Sequence, residues 1–326
     1  MEIADQIFNI KTEEEFNSAA LSVFKHQANH NPIYREFLQI LGKEVGSIEN
    51  YRQIPFMPIQ FFKTREVMEE QKEAEIVFSS SRTTGMVTSQ HLVADLNWYE
   101  RSFRLAFEEF YGDVGEIAVL ALLPNYLERS GSSLIYMVDD LIKHSDKEES
   151  GYFLYNHQDL KNTLEALKRK ESKTILFGVT YALLDFVEEF KVDFPELIVM
   201  ETGGMKGKRK EMIREELHAI LSTGFGVSKI HSEYGMTELL SQGYSNGDGL
   251  FKTPAWMKIL IRDTNDPLTL IEDKKTGAIN VIDLANYHSC SFIATQDLGK
   301  YHPDGSFEIL GRFDNSDIRG CNLLVQ

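Results

Sequence analysis

Cysteine is nearly absent from these 326 residues: there are two, Cys290 and Cys321. Two thiols cannot form the disulfide framework of a small secreted domain, and no Cys or His spacing suits a zinc site, so a reducing compartment fits best. Long apolar runs are lacking as well. Stretches such as Ile117 to Pro124 and Ile259 to Ile261 fall far short of the ~20 residues that cross a bilayer. The first residues, MEIADQIFNIKTEEEF, lack the basic-then-apolar pattern of a signal peptide. The expectation is a soluble, unexported, cytoplasmic protein with no membrane span. Positive charge is scarce: 34 Lys and Arg stand against 50 Asp and Glu, a net charge of −16. Such a surface repels phosphate backbones, which argues against nucleic acid as a partner and requires that any small anion be held by local groups. Repeats, low-complexity tracts and long Pro/Gly/Ser linkers are missing too.

What is present is a globular composition, 42% apolar and 26% charged, in a chain long enough to bury one large core or two unequal ones. The first 70 residues read as helical, with Phe16, Leu21 and Phe24 on one face and Pro55 and Pro58 as breakers. From Glu75 to about Val227, short β-rich runs alternate with amphipathic ones. Segments 76–78, 117–123, 173–179 and 196–200 read as buried strands, and 95–111, 157–170 and 207–221 as helices. That alternation predicts an α/β fold, a sheet covered by helices on both faces. After Phe251 the pattern becomes strands alone (MKILIR, GAINVIDL, FIATQDL, FEILG) separated by DTNDP, DKKTG and HPDG turns. The expected division is therefore a helix-flanked α/β region over 1–250 and a C-terminal β-rich subdomain over 251–326.

Four segments carry candidate chemistry. In FSSSRTTGMVTSQH, 78–91, a strand ends in hydroxyl side chains and Gly85; such a loop offers N–H and O–H donors to phosphate oxygens, and is equally an ordinary surface loop. In ELIVMETGGMKGKRKE, 196–211, a strand runs into Gly203 and Gly204 and then Lys206 and Lys208. Paired glycines let a flat ligand approach the backbone and the lysines attract an anion; the plain alternative is a tight turn with solvated lysines. IHSEYGMTE, 230–238, offers Tyr234 for a base, Thr237 for a phosphate and Glu238 for Mg²⁺, although an isolated Tyr234 reads as a core aromatic. In the 294–320 segment, Asp297 can accept from two ribose hydroxyls and Arg312 can donate to ribose or phosphate.

It is the order that is specific. A hydroxyl-rich TTG loop, then YGMTE, then QDLG, then GRFD resembles the adenylate-forming superfamily that includes the acyl-CoA synthetases. PNYLERSGSSL at 124–134, ETGGMKGK at 201–208 and RGCNL at 319–323 are similar to segments of one branch, the LuxE-like acyl-protein synthetases. The resemblance spans roughly Ile54 to the C-terminus.

That resemblance implies a fold like the large N-terminal domain of adenylate-forming enzymes, and ATP and Mg²⁺ as cofactors. It implies that Ser81, Thr83, Thr84 and Gly85 hold phosphates, that Gly203 and Gly204 border adenine, and that Tyr234 and Gly235 form its stacking platform. Thr237 would touch the α-phosphate, Glu238 bind Mg²⁺, Asp297 and Arg312 hold ribose, and Asp314 mark a hinge. The phosphate loop departs from the superfamily pattern at Arg82, where glycine is usual, and at Thr88, where lysine is usual; Arg82 is then the candidate source of positive charge.

The chain ends 12 residues after Asp314 (326 less 314), where larger members continue into a mobile C-terminal domain with a catalytic lysine, so that domain is expected to be missing. Cys321, preceded by Gly320 and near Arg312 and Arg319, matches the family's acyl-accepting cysteine, and nearby cations favour a thiolate. Cys321, Arg82 and Lys206 form the candidate catalytic set, and Cys290 is assigned to the core. The implied activity is ATP-dependent activation of a carboxylic acid, a fatty acid by resemblance, and transfer of the acyl group to a cysteine thiol, with an acyl reductase as possible protein partner. Two alternatives stay open: an acyl- or aryl-CoA ligase of the phenylacetate-CoA ligase type, and a non-catalytic nucleotide-binding subunit of an acyl-reductase complex.

Overall fold

The structure, a computed structural model, describes residues 3–80, 88–124, 131–203, 209, 212–271 and 275–312. The chain begins with α1 (Ile3–Phe8), α2 (Glu13–His30), α3 (Pro32–Ile40), β1 (Met57–Pro58), α4 (Phe61–Thr64), β2 (Ile76–Ser79) and β3 (Gln90–Val93). It continues through α5 (Leu96–Tyr111), β4 (Ala118–Leu122), α6 (Ser133–His144), β5 (Gly151–Tyr152), α7 (His157–Arg169), β6 (Thr174–Val179), α8 (Thr180–Glu189), β7 (Ile198–Thr202) and α9 (Arg214–Phe225). Only strands follow: β8 (His231–Tyr234), β9 (Gly243–Ser245), β10 (Leu250–Lys252), β11 (Met257–Arg262), β12 (Thr276–Asp283), β13 (Phe292–Tyr301) and β14 (Phe307–Arg312). Two compact units result, one built from Met1–Lys72 and Ala255–Gln326, the other from Glu73–Pro254.

In the unit formed by Glu73–Pro254, the strands run in the order β10-β9-β8-β7-β6-β4-β5. From β8 to β5 every pairing is parallel, while β9 and β10 turn back antiparallel. Strands β4 and β6 are buried at every residue, as strands covered on both faces must be. The two faces are identifiable from neighbouring residues of β6, which point to opposite sides. Phe177 meets Phe107 of α5 at 6.4 Å between ring centroids, whereas Gly178 lies directly under Leu183 of α8. The α/β class with a helix-flanked sheet, expected from the alternation of patterns, is present. Helix α5 starts where Asp95 accepts a hydrogen bond from the Trp98 amide, and α9 ends on Gly226 at φ +68°, a left-handed turn that glycine adopts without a side-chain clash.

Three local expectations need correction. The IVF run at 76–78 is half of a separate antiparallel hairpin, β2–β3, with Val77 exposed and only Phe78 buried. The helix expected over 207–221 runs from Arg214 to Phe225, because Ile213 is extended (φ −69°, ψ 149°) and residues 209 and 212 are not helical. On α2 the buried face carries Phe16, Ala20, Val23, Phe24 and Gln27, with Leu21 only half-buried, and the helical stretch ends at Ile40 rather than at Pro55.

The other unit is an antiparallel sheet, β11-β12-β13-β14, to which β1 adds a parallel pairing with β13. Helices α2 and α3 cover it: Phe24 and Tyr34 both contact Phe292, at 6.1 and 6.0 Å. Buried Gln27 then fixes the turn between β12 and β13, donating to the carbonyls of Asn286 and Tyr287 and to Ser291 Oγ, and accepting from the Ser291 amide. Burial of so many polar atoms is tolerable because each is bonded.

Candidate functional site

Parallel strands aligned in register deliver the segments that follow them to one sheet edge, and in open α/β sheets ligands bind outside that carboxyl edge. Here Leu122 pairs with Gly178, Val179 with Thr202, and Thr202 with Glu233. The residues after β7 and β8 therefore leave side by side, which brings Gly203 next to Tyr234 and Gly235. Gly203 has φ +51°, a conformation that glycine takes freely and other residues rarely take. Tyr234 is 7% exposed and meets Phe251 edge-on at 6.2 Å; Arg214 lies over the other ring of that pair, 5.7 Å from the Phe251 centroid.

The turn from β8 back to β9 carries Gly235, Thr237 and Glu238. It is held from two directions. Buried His91 of β3 contacts the Thr237 carbonyl through Nδ1 at 2.8 Å, and Ser102 of α5 contacts Ser241 at 3.0 Å between hydroxyls. Glu238 is 6% exposed. Among the described residues no group of three or more His, Cys, Asp or Glu is placed to hold a metal. A lone carboxylate nevertheless fits Mg²⁺, which keeps several waters and takes one or two carboxylates together with substrate phosphates.

Behind this edge lies a carboxylate that the sequence did not single out. Glu201 of β7 accepts from Thr180 Oγ1 at 3.1 Å and from Ser232 Oγ at 3.0 Å, and its Oε1 lies 3.7 Å from His218 Nε2. Burial acts to raise its pKa, but His218 and the two hydroxyls outweigh burial and hold it below the usual carboxylate range. One residue thus joins β7 to β8, α8 and α9 at the point where the paired glycines begin. Arg209 anchors the far side of that glycine segment, donating to Asp185 and Glu188 of α8.

In the other unit, Asp297 of β13 and Arg312 of β14 are register partners, and Arg312 Nε donates to Asp297 Oδ1 at 3.1 Å. Asp297 is buried while the Arg312 side chain is 75% exposed. Sequence reasoning missed a third member of this group, Arg262 of β11. Its guanidinium is buried and donates to the carbonyls of Ile279 and Thr295 and to Asn280 Oδ1, at 2.6, 2.6 and 2.7 Å. Burial lowers it to about 10, opposed by the charge of Asp297, so the group stays cationic at neutral pH. Thr295 also receives the Asp297 amide on its hydroxyl, at 3.2 Å.

Of the other expected site residues, Ser81, Arg82, Thr83, Thr84, Gly85, Gly204, Lys206, Asp314 and Cys321 lie outside the described residues. Cys290 is fully buried and burial pushes its thiol up to about 12, in keeping with its assignment to the core.

No protein-family profile matches the chain, and no curated protein sequence matches it. Solved structures do. A 2-hydroxyisobutyryl-CoA ligase in the postadenylation state, in complex with R3-HIB-AMP, is similar with a TM-score of 0.66 at 12% identity, over 95% of this chain and 70% of that one. ATP-bound MatB from Rhodopseudomonas palustris is similar with a TM-score of 0.53 at 16% identity, over 72% of this chain and 47% of that one. The chain thus spans about half the length of the MatB structures it matches. At these identities the likeness is one of fold.

Proposed function

We infer that this chain is an adenylate-forming ligase that activates a small carboxylic acid with ATP and passes the acyl group to a cysteine thiol, Cys321. The observation that carries the reading is the placement of the YGMTE turn and Gly203 at one carboxyl edge of the parallel sheet, in a fold like that of ligases solved with ATP or with R3-HIB-AMP. In this reading Tyr234 and the paired glycines take adenine, Thr237 the α-phosphate, and Asp297 with Arg312 the ribose. The hydroxyl loop with Arg82, and Lys206, take the phosphates. Mg²⁺, held by Glu238 and phosphate oxygens, would neutralise charge on the departing pyrophosphate.

The substrate carboxylate oxygen attacks the α-phosphorus, and the bond to the bridging oxygen of pyrophosphate breaks. The acyl-adenylate is a mixed anhydride. The Cys321 thiolate attacks its carbonyl carbon, the bond to the AMP oxygen breaks, and a thioester remains. An acyl reductase that consumes this thioester is the proposed protein partner, and a fatty acid the proposed substrate.

Incubation with ATP, Mg²⁺ and a mixture of fatty acids, followed by intact-protein mass spectrometry, tests the reading. The expected product is one acyl adduct, removed by hydroxylamine and located on the peptide containing Cys321. Cys321→Ser should keep first-turnover pyrophosphate release and lose the adduct, because a serine hydroxyl beside arginines alone stays protonated. Undiminished acylation of Cys321→Ser overturns the acceptor assignment, and absence of acid-dependent pyrophosphate release together with absence of hydroxamate overturns the ligase reading in favour of a non-catalytic nucleotide-binding subunit. The names of the similar structures favour a second reading, a CoA ligase; a free CoA thioester formed when CoA is added decides for it.

A further inference from the structure

His91 lies at the end of the hydroxyl-rich segment and was given no role by the motif order. The structure buries it completely on β3, where it pairs in register with Phe78. Its Nδ1 lies 2.8 Å from the main-chain carbonyl of Thr237, across 146 residues of sequence. A carbonyl only accepts, so Nδ1 must carry the proton and donate. Within the turn the Leu239 amide bonds to the Met236 carbonyl, and Ser102 contacts Ser241 two residues before β9. His91 thus gives the main chain between Gly235 and Glu238 a hydrogen bond from outside the turn.

We propose that His91 is a positioning residue: its Nδ1–H holds the Thr237 main chain so that the residue's amide and hydroxyl face the nucleotide α-phosphate. This rests on the nucleotide reading given above and goes beyond it, naming what orients the turn. The hydrogen bond is made to the backbone, so the Thr237 side chain remains available to a ligand. Adenine contacts would not depend on it, because Tyr234 belongs to β8 and is fixed by strand pairing with Gly243. The inference therefore separates two parts of the ligand. Loss of His91 weakens recognition of the phosphate and leaves recognition of the base.

The test compares adenosine with AMP, measured by calorimetry on the full chain. In the wild type AMP should bind more tightly than adenosine, and equal affinities would overturn the inference. In His91→Leu that advantage should shrink roughly 2- to 10-fold, the worth of one hydrogen bond, while the adenosine affinity stays the same. Asn places its amide N–H near the position of Nδ1, so His91→Asn should restore the advantage; Gln places it near Nε2, so His91→Gln should not. A purely structural role would lower both affinities together. An unchanged AMP-to-adenosine ratio in a folded His91→Leu overturns the inference and leaves the nucleotide reading standing, whereas a wild type that binds neither ligand overturns both. If the leucine variant does not fold, ¹⁵N-histidine NMR of the wild type decides. A protonated Nδ1 that shifts on adding AMP but not adenosine supports the role, and a bare Nδ1, or no difference between the two ligands, overturns it.

Discussion

The two units handle a buried charge beside their candidate site residues in opposite ways. In the unit of parallel strands the charge is the Glu201 carboxylate, and it is met by side chains: two hydroxyls and a histidine, drawn from three other elements. In the antiparallel unit the charge is the Arg262 guanidinium, and it is met mainly by main-chain carbonyls of β12 and β13. The difference follows from the architecture. Between parallel strands the amide N–H groups are used by the neighbouring ladder, so a buried acid needs donors from side chains. At the irregularity between Ala278 and Asn280 in the β12–β13 pairing, carbonyls are released from the ladder and a five-donor guanidinium can collect them. A carboxylate solution tethers helices to strands; a guanidinium solution repairs a sheet from within.

The largest expected effect comes from removing the repair. Arg262→Met leaves the carbonyls of Ile279 and Thr295 and the side chain of Asn280 short of a donor, and leaves Arg312 as the cation beside Asp297. The expected loss is about 3–5 kcal/mol in urea unfolding, with hydrogen exchange accelerated in β12 and β13 and unchanged in β6 and β7. Equal acceleration in both units would break the comparison, since it would mean that the guanidinium supports the whole chain and not one sheet.

Removing the tether should cost less, because the orphaned hydroxyls are uncharged. Glu201→Leu is expected to lose about 2–3 kcal/mol and to accelerate exchange where β7, β8 and α9 meet. Its pH dependence sharpens the contrast. A carboxyl held below its ordinary pKa contributes stability that is fully present above the unfolded-state value and is lost as pH falls through the folded-state value. Wild type and Glu201→Gln should therefore converge in stability as pH drops below roughly 4, whereas Arg262→Met should stay separated from wild type there, its guanidinium remaining charged. A constant gap between wild type and Glu201→Gln down to pH 3 would show that the carboxylate charge adds nothing.

The same contrast explains what could be read from sequence. Strands such as β4 and β6 announced themselves because burial on both faces demands an unbroken apolar run, and α5 because Asp95 caps a periodic stretch. Helix α8 was missed: it follows β6 with no turn residue between Val179 and Thr180, and seven of its ten residues are buried, which leaves no polar stripe to reveal its period. The pairing of the N-terminal helices with the last strands was hidden for another reason. Gln27 and Ser291 are 264 residues apart, and a glutamine in an amphipathic helix carries no sign of its partner. As site candidates, Tyr234, Glu238, Asp297 and Arg312 were named from the order of their motifs. Glu201, His91 and Arg262 belong to no such order, because they act on main chain and neighbours that sequence spacing does not reveal.

The smallest expected effects concern the helix starts, and they too divide by unit. Helix α2 opens with a reciprocal capping box: the Glu15 amide donates to Thr12 Oγ1 at 3.2 Å, and Glu15 Oε2 accepts from the Thr12 amide at 3.2 Å. Helix α5 opens on two charged acceptors, the Trp98 amide donating to Asp95 Oδ1 at 3.2 Å and the Leu96 amide to Glu75 Oε2 at 2.8 Å. Thr12→Ala removes a neutral hydroxyl and leaves Glu15 in place, so about 1 kcal/mol should be lost. Asp95→Ala removes the same kind of hydrogen bond and also a negative charge at the positive end of a helix dipole, which adds about 0.3–1 kcal/mol at low salt. Added salt screens the charge but not the hydrogen bond. Unfolding measured in urea at about 20 mM and 500 mM salt should therefore show the Asp95→Ala penalty shrinking toward that of Thr12→Ala, whose own penalty should hold steady. If both penalties respond equally to salt, the charge at Asp95 is not what distinguishes the two caps, and the contrast between the units stops short of their helix ends.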